Sequence, residues 1–137
     1  MKSAPDGLPV VGKQSKELGV RVPPNEHADV DLEQDGQVVL NRRGMSVAAH
    51  WRFLKPHLVP RRLKDHVYGA SGPNSLAIYR YGDGEFVESD LNEYLALALK
   101  RGSMEQANVV PARAMSLDDF VMHLVGMREH WIPEELL

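Results

Sequence analysis

Apolar side chains recur at helical spacing in one stretch of the chain. Leu117, Phe120, Val121, Leu124 and Val125 stand at i, i+3, i+4, i+7 and i+8. Ser116 precedes them, and Asp119 follows three residues later in the manner of a capping box. The spacing predicts an amphipathic C-terminal helix from Ser116 to about Trp131, ended by Pro133, which has no N–H to give. Met122 and Met127 are assigned to its core face. Elsewhere the apolar period is two. Ser75 to Tyr81 reads as a strand with Leu76 and Ile78 on one face and Tyr79 and Tyr81 on the other, closed by a Gly82-Asp83-Gly84 turn. Leu18 to Val22 reads as a short β run stopped by Pro23 and Pro24. Val30 and Leu32 alternate with Asp29 and Asp31, and with the Asp35-Gly36 turn and Val38–Leu40 they predict a small hairpin. Asp90 to Lys100 fits both periods, and its later half is assigned to strand because Leu95, Leu97 and Leu99 alternate. Val109-Val110 makes a further short strand. Between Pro56 and Leu63 two prolines forbid a helix interior. Several short strands with one helix predict an α+β fold.

Length and composition narrow this further. With 137 residues the chain is expected to form one domain, from residue 18 onward, that buries roughly two thirds of its unfolded surface. Residues 1–17, with Pro5, Gly7, Pro9 and Gly12 among polar neighbours, predict a flexible N-terminal arm. No apolar run nears the ~20 residues that span a bilayer, and no Sec-type signal is visible. A soluble protein, cytoplasmic or exported without a Sec signal, is expected. The absence of cysteine excludes disulfides, thiol catalysis and Cys-ligated metals. No metal site is expected from the six scattered histidines, since His123 and His130 lie two helical turns apart, about 10 Å along the axis.

Charge supplies the sharpest signal. Residues 42–64 hold seven Lys and Arg and no carboxylate, although the whole chain is at −3. Three readings of this segment stay open. It is a solvated loop whose arginines pair with the surplus carboxylates, a wall for phosphate groups, or a nucleic-acid surface with Trp51, Phe53 and His57 as stacking platforms. A small diphosphate ligand suits a restricted patch better than a long polyanion, which the acidic remainder would repel. Ser46 has two roles open to it, as a cap for the segment reaching Trp51 or as a hydroxyl holding a ribose or phosphate oxygen. P-loop, dinucleotide-fingerprint and nucleophile-elbow motifs are all missing.

The order Asp35-Gly36, Gly44-Met45-Ser46-Val47, Gly84-Glu85-Phe86 and Val110-Pro111-Ala112-Arg113-Ala114-Met115, with Phe120, Leu124 and Trp131 behind, resembles one toxin family. It is similar to the ADP-ribosyltransferase-like toxins of bacterial type VI secretion systems and their uncharacterised bacterial and fungal relatives. The resemblance covers roughly residues 19–131. It implies a compact split β-sheet with a cleft for NAD, in which Arg21 and Arg43 hold the diphosphate, Ser46 the ribose, and Glu85 supplies a carboxylate. Ser46 and Glu85 are then the catalytic candidates, for transfer of ADP-ribose or cleavage of NAD. The implied partners are a target macromolecule or an immunity protein. Two alternatives from other classes are a non-enzymatic interaction protein on the same scaffold and a nucleic-acid-binding domain using residues 42–64.

Overall fold

A computed structural model describes residues 1–82 and 85–134. In chain order the elements are β1 (Met45–Ala48), β2 (Tyr79–Tyr81), β3 (Ser89–Asp90), β4 (Leu95–Leu99), β5 (Gln106–Pro111), the helix α1 (Leu117–Gly126) and β6 (Trp131–Pro133). Four strands make an antiparallel sheet in the order β1-β5-β4-β3, and β2 pairs with β6 in a second, two-stranded sheet. The protein is therefore α+β.

Register explains the main core. Met45, Val109 and Leu97 are direct cross-strand partners, so they share one face of the larger sheet. Leu95, two residues along, shares that face, and there it meets Phe120 and Leu124 of α1 in one buried cluster. Their neighbours Ser46, Asn108 and Ala98 face the opposite way. At the start of α1, Ser116 accepts a hydrogen bond from the Asp119 N–H at 3.1 Å, as the cap spacing predicts.

The helix stops earlier than its apolar period predicts. Gly126 is its last residue, a short 3-10 turn over Arg128–His130 follows, and Trp131 already belongs to β6. Arg128 is drawn away from a continuing helix toward the N-terminal segment, where it donates to the Asp6 carboxylate and the Pro9 carbonyl. Met127 is buried as expected, whereas Met122 is 57% exposed and is not core.

Leu18 to Val22 is not a strand. Leu18 and Val20 are buried, so the apolar positions are right, but the backbone serves another purpose. The Arg21 N–H donates to the Asp29 carboxylate at 2.7 Å, and the Asp29 N–H returns to the Arg21 carbonyl at 2.8 Å. A side chain has taken the place of a ladder partner. The Asp35-Gly36 turn forms, with Gly36 at φ 86° and a Leu32–Val38 bridge behind it. The Gly82-Asp83-Gly84 turn lies partly outside the described residues.

Residues 1–17 are tied down rather than loose. Besides the Arg128 contacts, the Tyr79 hydroxyl lies 2.6 Å from Ser3 Oγ and donates to the Gly7 carbonyl, and Lys2 bridges Leu76. This segment pairs with the chain just before β2, where the Ala77 N–H donates to the Met1 carbonyl at 2.9 Å, and the predicted strand 75–81 is regular only over its last three residues. Ile78 packs into a second, smaller core with Val59, Leu63 and Val67, while Tyr79 and Tyr81 pack against the main one. The strand thus serves two cores from its two faces. Among the described residues no helix is long and apolar enough to cross a membrane.

Candidate functional site

The basic segment divides into two groups with different surroundings. Arg42 and Arg43 precede β1 and line an open groove of about 550 Å³ on the outer side of the larger sheet, floored by Ala96, Ala98 and Val110. Both are already partnered. The Arg42 guanidinium reaches the Glu88 carboxylate across the groove and also donates to the Leu99 carbonyl at 2.8 Å. Arg43 donates to both oxygens of Asp31, at 2.9 and 2.8 Å, and to the Ala28 carbonyl. The hydrogen bond from Arg42 holds Glu88 below the usual carboxylate range, and hydrogen bonds from Asn41 and then Arg43 do the same for Asp31.

A depressed carboxylate stabilises the fold above its ordinary pKa of about 4 and loses that contribution as pH falls through the depressed value. Glu88→Gln and Asp31→Asn are therefore expected to flatten the acid limb of the stability curve while leaving its shape above pH about 6 unchanged. Thermal melts between pH about 2 and 7 check this.

The second group sits on the smaller core. Residues 49–82 hold six of the sixteen Lys and Arg side chains, with Asp65 as the sole carboxylate; the other ten cations share the rest of the chain with eighteen Asp and Glu. The sequence makes this lobe from 3-10 turns over Trp51–Phe53, Pro56–Leu58 and Arg61–Leu63, because Pro56 and Pro60 interrupt anything longer. The first turn packs Trp51 against the small core and the third buries Leu63 in it, while their cations Arg52, Arg61 and Arg62 are exposed. None of Arg52, Lys55, Arg61, Arg62 and Lys64 forms an ion pair among the described residues. Arg52 lies over the Phe53 ring at 5.3 Å, and Arg62 donates to the Asn74 and Leu76 carbonyls, which leaves both charges unneutralised. His50, Trp51 and His66 form an aromatic cluster beside them, with centroids 4.9 and 5.8 Å apart along the chain of rings.

Of the sequence-predicted site residues, only Arg43 lines the groove; Arg21, Ser46 and Glu85 do not. Arg21 is bound bidentately by Asp29, at 3.1 and 2.8 Å, and this pair raises its already high pKa. Ser46 is exposed on β1, where its hydroxyl stands 3.4 Å from both Asn108 Oδ1 and Lys100 Nζ. It caps nothing, since His50 caps the turn at Trp51. Glu85 is exposed, beside residues outside the described ones. Both of Ser46's polar contacts are long and solvent-facing, so Ser46→Ala is expected to change stability by no more than about 0.5 kcal/mol, as urea melts would report. Among the described residues no cluster of His, Asp and Glu could hold a metal.

Compared with protein-family models, with curated proteins and with solved structures, the chain matches none. The pairing of Arg42 with Glu88, 46 positions away, and the exposure of Tyr68 are the features that sequence reasoning missed. The first has no local sequence signal. The second had a weak one, a tyrosine followed by a turn glycine.

Proposed function

We propose that this protein is a non-enzymatic binding module whose basic lobe, residues 49–82, engages an anionic partner. One observation carries the reading: in an acidic chain, Arg52, Lys55, Arg61, Arg62 and Lys64 are gathered around a separate small core, and among the described residues none of the five forms an ion pair. A like-signed patch left unneutralised raises the local concentration of anions and speeds their encounter. Arg42 and Arg43 are spent on Glu88 and Asp31 and contribute little of that field. Chromatography on immobilised heparin tests the proposal. At pH about 7 a protein with pI near 6.0 is expected to be retained at low salt and released as salt screens the lobe. Passage in the flow-through would overturn it.

A second reading, the ADP-ribosyltransferase-like scaffold with NAD, is favoured by the division of strands into a four-stranded and a two-stranded antiparallel sheet. It requires the Arg21–Asp29 and Arg43–Asp31 pairs to open before a diphosphate can be held. Calorimetric titration with NAD distinguishes the two. The binding-module reading expects no saturable heat, and binding weakened by both Arg21→Gln and Ser46→Ala would transfer support to the scaffold reading.

A further inference from the structure

We infer that the partner of the basic lobe is a single-stranded nucleic acid, and that Tyr68 is the residue on which one of its bases stacks. The inference rests on the binding-module reading and adds the chemistry of the partner. Tyr68 is 99% exposed, and among the described residues no hydrogen bond or ring contact involves its side chain. Folding alone therefore gives no reason for an aromatic ring at this position. The backbone, in contrast, holds it firmly. The Ala70 N–H bonds to the Val67 carbonyl at 3.1 Å, and Gly69 stands at φ 76°, so Tyr68 occupies the leading corner of a turn that needs its glycine. Val67, at the root of the turn, is buried in the small core.

The turn also has a fixed place among the cations. Gly69 lies against the Pro56 ring, and the Ser71 N–H bonds to the Pro56 carbonyl at 3.0 Å. This seats the Tyr68 corner on the 3-10 turn that begins after Lys55 and contains His57. Lys64 stands four residues before Tyr68, and all of these side chains are exposed. A flat ring presented on a rigid corner loses little freedom on binding, and the surrounding ammonium groups can follow a phosphate backbone. Single strands offer unpaired bases to stack; an acidic peptide offers charge without a flat face, and a duplex keeps its bases inside. The acidic remainder of the chain limits the site to a short segment of strand.

Fluorescence anisotropy with labelled oligo(dT) of about twelve nucleotides, a duplex of the same length and a polyglutamate peptide tests this, within the roughly 4–16 nucleotide range of comparable sites. Oligo(dT) is expected to bind best, with a salt slope reduced by about 0.7 in Lys64→Gln. Tyr68→Ala should weaken it about 5- to 100-fold, the range of one lost base stack, while Tyr68→Phe stays close to wild type. Because the side chain is exposed, unchanged melting of both variants separates lost binding from lost folding. Unaltered binding by Tyr68→Ala, or duplex or polyglutamate binding as tightly as the single strand, overturns the inference and leaves the anionic-partner reading standing. Failure of all three probes to bind overturns both.

Discussion

Phe120→Ala is expected to remove about 3–5 kcal/mol of stability, the usual cost of emptying a phenyl-sized space in a close-packed core. Phe120 is fully buried and sits where α1 meets the inner face of the larger sheet, among Leu124, Leu95 and Val109. The cluster's other side chains come from the helix, four strands and the loops at Leu18 and Val38, so the space cannot close by moving one element. Against a typical total of about 5–15 kcal/mol this is a large fraction. The melting temperature should fall by something on the order of 10–20 °C. A melt within about 2 °C of wild type would place the helix outside the core and contradict the packing described above.

Gly44→Ala should also be severe, for a different reason. A Cβ at Gly44 would stand 2.0 Å from the Val109 carbonyl oxygen, a backbone atom of β5 that has no rotamer to escape into. The close approach that glycine permits is to the neighbouring strand, and not to a ligand. Either β1 peels from β5 or the sheet shifts, at a cost of about 3 kcal/mol, the upper end of ordinary overpacking. Gly36→Ala is the control: nothing lies within 4 Å of its Cβ, and only the positive φ of 86° is opposed, at roughly 1–2 kcal/mol. Urea unfolding of both variants gives the comparison. A Gly44→Ala midpoint above that of Gly36→Ala would show that β1 and β5 are not so closely joined.

Legibility in the sequence followed the range of the forces involved. Ser116 and its apolar stripe were readable because a cap and a helical period are local, and Leu95–Leu99 because alternation survives over five residues. The helix end was not readable. Arg128 is held by Asp6, 122 positions away, and that contact competes with continuing the helix. Leu18–Val22 carries the alternation of a strand, yet Asp29 supplies the hydrogen bonds that a neighbouring strand would have given. Strand β1 was missed as an element because Met45 and Val47 are its only inward positions, too few to display a period. The candidate site shows the same division. Cationic excess in residues 42–64 was plain from composition, but which cations are neutralised depends on Glu88 and Asp31, and only tertiary structure brings those to Arg42 and Arg43.

That distinction between paired and unpaired cations is what the proposed function stands on. Calorimetric titration with heparin, comparing Lys55→Gln/Arg61→Gln/Lys64→Gln with Arg42→Gln/Arg43→Gln, tests it most directly. Three exposed charges each contributing about 0.5–1 kcal/mol to an ionic contact predict a loss of roughly tenfold or more for the lobe variant. The groove variant should bind within about twofold of wild type, since its arginines are already held by carboxylates. Equal losses in the two variants, or a larger loss in the groove variant, would contradict the assignment of the anionic partner to residues 49–82.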